Sequence, residues 1–440
     1  MAVQQKSLGQ LFIPIFFEIL FTMLAGMVDT LMLSSVGDHA VGAVGTANTY
    51  IGVFVIMFSI ISSGMVAVMT QYIGAGNPKV AHQALRLGLY LNLSIGILIS
   101  GVLYGFAGPI LQTVGIADQL MESAETYLKI VGLFCVCNAI TPIFSSYLRA
   151  FGHVAPTLTS TVAANIVNFG LNALFLFGLR WGVWGVALAT GISRLVNLLW
   201  VVIAVRRRIQ PPTEGTPLRK REVFWKIIRV GLPAAMESSL YHVAITLVIS
   251  MLNRMDDTGM QATARAYAVQ ITNFSYCVAL ALANANAILV GWRIGAGKLE
   301  ECDRGTRKAA LIGIGVGIAM AALFAVFAEP IVSLFTEDSE MIRLVTLLLL
   351  VDIVLEIGRA SNLVFGFALK TSGDALYPMV IAVVFVFVCA AGGTWLFGIR
   401  LGWLVVGAYA AMALDECVRA VFLFLRWHIG GWKKKNLVAK

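Results

Sequence analysis

The sequence predicts an all-α integral membrane protein, with twelve transmembrane helices in two parallel six-helix repeats around a central cleft. Three observations lead there. Of 440 residues, 59% are hydrophobic and only 12% charged, about half the charged share of a soluble domain. Apolar stretches of ~20 residues recur along the whole chain, and each can cross a hydrocarbon core of ~30 Å as a helix. The second half also repeats the first. The apolar runs are continuous rather than alternating, which argues against a β-barrel.

The spans fall at about 11–34, 47–72, 84–107, 124–149, 154–178, 184–206, 227–252, 263–292, 307–328, 341–369, 375–398 and 403–427, by length and apolar content. The net charge of +9 raises the question of nucleic acid, but its placement answers it. Basic residues crowd into alternate connections, as in Arg206, Arg207, Arg208, Arg219, Lys220 and Arg221, and again in Lys433, Lys434 and Lys435. The intervening connections favour acids, such as Asp256, Asp257, Glu337 and Asp338. This is the positive-inside pattern, so both termini are expected in the cytoplasm of a multi-pass cell (inner) membrane protein with no nucleic-acid partner. The basic tail is expected to lie solvated at the inner leaflet. The six cysteines lack metal-type CxxC spacing and are expected to be free thiols packed as small hydrophobes.

The repeat is visible residue by residue. IPIFFEILF (13–21) returns as LPAAMESSL (232–240), pairing Pro14 with Pro233 and Glu18 with Glu237. YIGAGNPK (72–79) returns as RIGAGKLE (293–300), and YLRAFGHVAP (147–156) as ALKTSGDALYP (368–378). Each unit holds an even number of spans, so the two share one orientation. The organisation expected is an N-terminal six-helix lobe over 1–206, a cytoplasmic basic linker over 207–222, a C-terminal lobe over 223–428 and a basic cytoplasmic tail over 429–440. Two lobes about a cleft suit an alternating-access transporter, and no HExxH, GxSxG or Walker motif points to an enzyme.

A carboxylate at mid-span costs ~2.5–3.5 kcal/mol on insertion scales, so it marks a cavity, a partner or a proton. Asp29 is such a group. Glu18, Thr22, Ala25 and Asp29 share one face of the first span, since a helix turns ~100° per residue. Asn165, Asn168 and Asn172 form a matching amide stripe on the fifth span. Amides offer oxygens to a hard cation and donors to a carboxylate. Thr190 on the sixth span adds a hydroxyl. At the repeat positions stand Val248 for Asp29, and Val386, Cys389 and Gly393 for the three asparagines. Scaffold residues are duplicated and this cluster is not, which points to a task that one lobe performs: binding the coupling ion.

Other intramembrane charges read differently. Glu18 and Glu237 recur at one repeat position, where substrate contact and a structural role are equally expected. Glu356 with Arg359, and Asp415 with Arg419, have the spacing of intrahelical ion pairs. Asp352 is left without a close partner and is the better substrate candidate. Met27 is a further candidate, because flexible thioethers suit a promiscuous wall.

Taken in order, GMVDTLMLSSVG (26–37), QYIGAG (71–76), NIVNFGLNALFLFG (165–178), GVWGVALAT (182–190), GLPAAMES (231–238), LVGWRIGAGKLEE (289–301), RASNLVFGFALKTSGDALYP (359–378) and DECVRAVFLFLRWHIGGWKKK (415–435) resemble the multidrug and toxic compound extrusion (MATE) family. The resemblance covers nearly the whole chain. It implies efflux of amphipathic, often cationic compounds driven by inward Na⁺ or H⁺, with no cofactor and no obligate protein partner. It places the family's first-span acid on Asp29, its fifth-span polar pair on Asn168 and Asn172, and its sixth-span threonine on Thr190. Many members carry Asp where Asn172 stands, which leaves Na⁺ against H⁺ open. The rival within the wider superfamily is a flippase for a lipid-linked oligosaccharide or cell-wall precursor. It would need several unpaired Arg or Lys for phosphate, and mid-span cations here are few: Arg194, Arg359 and Arg419.

Overall fold

A computed structural model describes residues 6–113 and 118–438. Among them the secondary structure is helical, without strands. The chain divides into two compact units, Met1–Leu232 and Pro233–Lys440.

The first unit holds α1 (Leu8–Ser34), α2 (Asp38–Gly74), α3 (Pro78–Gly105), the short α4 (Ala107–Thr113), α5 (Asp118–Leu133), α6 (Cys135–Ala150), α7 (Ala155–Ala173) and α8 (Gly182–Arg208). Next, α9 (Lys220–Leu252) runs across the boundary between the units. The second unit continues with α10 (Met260–Gly295), α11 (Leu299–Val326), the short α12 (Ala328–Val332), α13 (Ser339–Ser372), α14 (Leu376–Phe385) and α15 (Leu404–Ile429). In the first unit α2 packs on α3, α5 and α6, α8 packs on α5 and α7, and α1 lies along α7. In the second, α13 is central, between α10, α11 and α15.

Among the described residues, nine helices are long and apolar enough to cross a membrane. Where the fourth span is expected, α5 and α6 are together long and apolar enough, with a bend of 43° between them. The other two expected spans are α13, with 34 residues, and α15, with 26. They are long enough, but Asp352, Glu356 and Arg359 interrupt one, and Asp415, Glu416 and Arg419 the other. The charges that remove them from an apolar count are buried inside the unit. The protein is a multi-pass membrane protein.

The repeat is a repeat of backbone geometry. The GAG loops turn through Gly76 and Gly297, both at φ 75°, a left-handed conformation that costs glycine no Cβ clash. Before α8, the chain enters through positive φ at Arg180 (56°) and Gly182 (57°), flanking Trp181. Before α15, Gly402 (72°) and Leu404 (51°) flank Trp403 in the same way. Phe175 stacks on Trp181 and Phe397 on Trp403. Each half also loosens into π-helix ahead of that turn, at Leu174–Gly178 and at Thr394–Arg400.

The linker and the tail both make specific contacts with the helices. Residues 209–219 are pinned to the first unit: Leu218 exchanges two hydrogen bonds with the Gln83 amide, and Asn77 donates to the Thr216 carbonyl. The basic tail is not a free inner-leaflet strand. Trp432 and Leu437 are buried; Trp432 stacks on Trp427 at 4.1 Å and donates to its carbonyl. Lys433, Lys434 and Asn436 stay exposed, as does Ile429.

Close helix approach in the first unit depends on missing side chains. A Cβ at Gly231 would fall 1.8 Å from the Ile60 carbonyl oxygen, and one at Gly64 2.1 Å from that of Ile227. Overpacking of this kind costs about 1–3 kcal/mol. Gly231→Ala is therefore expected to lower the melting temperature of the purified protein clearly. Gly101→Ala, where nothing lies within 4 Å, should leave it unchanged.

Candidate functional site

Asp29 sits in the last two turns of α1, facing α7. The Asn172 amide nitrogen donates to Asp29 Oδ1 at 2.9 Å and to Asn168 Oδ1 at 3.2 Å. One amide thus ties the carboxylate of α1 to the polar stripe of α7. The two bonds fix its orientation, because the flipped amide would set oxygen against oxygen twice. Asn172 is fully buried, and its own Oδ1 has no partner. The site therefore offers a half-satisfied carboxylate and, on the far side of the Asn172 amide, an unpartnered amide oxygen.

Asn165 does not join them. Its amide donates to the Phe21 carbonyl at 2.9 Å, two turns from Asp29, where it fastens α7 to the α1 backbone. Thr190 lies on α8 beside the Tyr127 hydroxyl, which donates to Asn48 Oδ1 at 3.3 Å. Tyr127 and Asn48 carry no distinguishing signal in the sequence, since each stands among other polar residues: Glu125, Thr126 and Lys129 near Tyr127, and Thr46 and Thr49 near Asn48. Arg194 is one turn beyond Thr190. Its charge reaches Asp29, Tyr127 and Cys135 through space, and its Nη1 is buried without a hydrogen-bond partner. Among the described residues no lysine or arginine forms an ion pair with Asp29.

The equivalent place in the second unit is filled with hydrocarbon. Val248 and Val386 are buried in one apolar cluster with Ala390 and Ala391. At Gly393 a Cβ would come within 2.8 Å of the Ala411 methyl. No room remains there for a polar side chain.

The recurring glutamates are occupied by ion pairs. Glu18 Oε1 accepts from Arg149 at 2.6 Å and Glu18 Oε2 from the Thr157 hydroxyl at 2.6 Å. Glu237 accepts from Lys370 at 2.8 Å. Arg149 and Lys370 are themselves repeat partners in the YLRAFG and ALKTSG segments. The same kind of pair is thus built twice, once in each unit. Met27, on α1, is exposed.

The remaining charges assemble across α13 and α15. Gly358 allows it: a Cβ there would lie 2.5 Å from the Cys417 nitrogen, so the two backbones nearly touch. Arg359 is bonded to Glu356. Arg419 donates to Asp415 at 2.6 Å and contacts Glu416 at 2.9 Å, while Glu416 also accepts from Asn362 at 2.6 Å. Asp352 is not isolated as expected. It is 1% exposed, and Arg359 Nη2 stands 3.9 Å from its Oδ1.

The fold and the polar site define a multi-pass membrane transporter made of two like-built halves. The MatE family model matches residues 14–174 and again 233–396. The chain belongs to this family, whose members are multidrug and toxic compound efflux transporters and not enzymes. An uncharacterized transporter of Bacillus subtilis, YisQ, is 31% identical over 98% of this chain and 96% of its own length. A probable multidrug resistance protein NorM of Thermotoga maritima is 24% identical over 99% and 95%. Among solved structures, an outward-facing multidrug resistance MATE transporter of the MOP superfamily superposes with a TM-score of 0.88, at 20% identity over 97% of this chain and 96% of that one.

The duplicated glutamate pair yields a test. Breaking a buried ion pair from one side costs on the order of 3–5 kcal/mol, because the other charge is stranded. Arg149→Ala should lower the melting temperature more than Glu18→Gln with Arg149→Gln together. A double-mutant cycle with no coupling would remove the scaffold role.

Proposed function

We propose that the protein exports amphipathic, mostly cationic organic compounds in exchange for inward H⁺ or Na⁺, by alternating access, with Asp29 as the coupling carboxylate. Asn168 and Asn172 position it, and Thr190 belongs to the same polar face through Tyr127. Asn165 is assigned to fastening α7. The observation that carries the reading is the buried, unpartnered Asn172 Oδ1 next to an Asp29 that lacks a basic partner. A carboxylate with one donor and a buried amide oxygen with none both favour the approach of a cation or a proton. Either coupling ion is a transported substrate of the site, and the donor set of carboxylate and amide oxygens suits both. The absence of any polar group at Val248 gives the task to the first unit alone.

The charge bias of the connections supports a cell (inner) membrane protein with both termini and residues 207–222 in the cytoplasm. Neutralising Asp29 removes its demand for the Asn172 donor, which frees α1 to repack on α7 and shifts the balance between outward and inward states. One proton moving inward releases ~2.3 kcal/mol per 100 mV and ~1.4 kcal/mol per unit of ΔpH. A monovalent organic cation leaving against the same potential cancels the first quantity. One-for-one exchange then accumulates substrate only about tenfold per pH unit.

The experiment is dye efflux and counterflow in proteoliposomes under imposed Na⁺ or pH gradients. Asp29→Asn, which keeps the size of the side chain, is expected to fold and reach the membrane but to lose ion-driven efflux. Normal driven efflux in that variant would end the assignment. Val248→Asp should create no second coupling site. Sustained current without substrate in planar bilayers would point to a channel instead.

A further inference from the structure

Arg194 of α8 is a cation of the first unit with no partner of its own. A guanidinium offers five N–H donors and no acceptor. Its Nη1 is buried without a hydrogen bond, and among the described residues no acid forms an ion pair with it. A cation left in that state within a membrane protein is costly, and it marks a place where something else supplies the negative charge.

The repeat sharpens the contrast. Trp181 and Trp403 occupy equivalent turns, so Arg194 on α8 matches Glu416 on α15, each thirteen residues further on. Glu416 is closed: Arg419 stands at 2.9 Å and the Asn362 amide donates at 2.6 Å. The residue matching Arg419 is Asn197, and the one matching Asp415 is Ser193, whose hydroxyl donates to the Thr190 carbonyl at 2.8 Å. One turn to either side of Arg194 stand Thr190, Gly191, Asn197 and Leu198, none of them acidic. The second unit places an acid at this position and supplies its base. The first places a base and supplies no acid.

Neighbouring helices do not make up the lack. The charge of Arg194 reaches Tyr127 of α5 and Cys135 and Cys137 of α6, all buried and none a carboxylate. Tyr127 already donates to Asn48 Oδ1 of α2. On α1 the charge reaches Asp29, whose bond is to the Asn172 amide. A fixed anion and a fixed cation therefore stand within electrostatic reach of each other without forming a pair. Arg194, Asp29 and Thr190 each keep part of their surface open, and Asn48 is exposed, so the cluster is accessible to a ligand.

We propose that Arg194 is a specificity-determining residue of this site: it binds the acidic group of a substrate whose positive end lies toward Asp29, so the compounds taken best are zwitterionic. The planar fork of arginine suits a carboxylate, which it holds through two parallel hydrogen bonds. Asp29 disfavours a purely anionic compound and Arg194 a purely cationic one, whereas a compound with both charges satisfies both. The proposal rests on the efflux reading, because it names the substrates of that site.

The test is dye binding to the purified full-length protein, read by fluorescence anisotropy without an ion gradient. Rhodamine B carries a carboxylate and a cationic ring system; its ethyl ester keeps the rings and loses the carboxylate. Wild-type protein is expected to bind rhodamine B about tenfold more tightly than the ester, the size of one charge-assisted hydrogen bond. Arg194→Gln should weaken rhodamine B about tenfold, tighten the ester and erase the preference. Arg194→Lys keeps the charge without the fork and should retain part of it. Lys129→Gln, which removes an exposed cation of α5, should leave the ratio as it is. Arg194→Gln strands no acid and should melt at or above the wild-type temperature. Equal affinities for the two dyes in wild type, an equal loss of both in Arg194→Gln, a clearly lower melting temperature in that variant, or a ratio that falls as far in Lys129→Gln overturns the proposal. A melting temperature raised by phosphatidylglycerol in wild type but not in Arg194→Gln, with no dye preference, would give the guanidinium to a lipid headgroup and overturn it too. Failure here leaves ion-driven efflux of cationic dyes standing, and a protein that exports nothing could still show the dye preference.

Discussion

A polar group inside hydrocarbon has no water to fall back on, and most of this architecture follows from that constraint. The backbone meets it by being helical throughout the described residues. The side chains meet it in three ways. Glu18 and Glu237 are closed by a base each, at 2.6 and 2.8 Å. Glu356, Asp415 and Glu416 are closed by two shared arginines. Asp29 is closed only in part, by one amide bond, and Asp352 by none. A fully paired ion is the cheapest of these to bury, and an open one the most costly.

The duplicated halves show how a symmetric scaffold acquires asymmetric function. The GAG loops, the tryptophan turns before α8 and α15, and the glutamate pairs are built twice with matching geometry. The space around Asp29 is built once. In the second unit that volume is packed with Val248, Val386 and close helix contact at Gly393, while the ionic residues have moved to α13 and α15. Each unit therefore carries its own buried charge problem, solved with different residues at non-equivalent positions.

Glycine and asparagine set the distances that make these solutions possible. Gly358 lets α13 approach α15 until Asn362 of one helix bonds Glu416 of the other, while Arg359 and Arg419 serve acids on their own helices. Gly64 and Gly231 let the start of α9 lie against α2. Asn165 clamps the α7 amide stripe to the Phe21 carbonyl, and that clamp holds Asn172 at bonding distance from Asp29. Removing any of them changes the separation of charged groups, and the Coulomb energy of such groups is sensitive to that separation in a poorly screened interior.

The sequence by itself determined the membrane class, the repeat, the family and the identity of Asp29 as an unusual carboxylate. These are properties of composition and periodicity, which depend only on order along the chain. It also carried the partners of Glu18 and Glu237 in plain view, since Arg149 and Lys370 occupy equivalent repeat positions, but spacing of more than a hundred residues does not reveal contact. The tertiary structure alone decided that Asn172 and not Asn165 reaches Asp29, that Tyr127 and Asn48 adjoin Thr190, that Asp352 is sealed near Arg359, and that the basic tail folds its tryptophan and leucine inward. Each of those outcomes depends on how far one helix rotates and how closely it approaches another, and side-chain packing sets both.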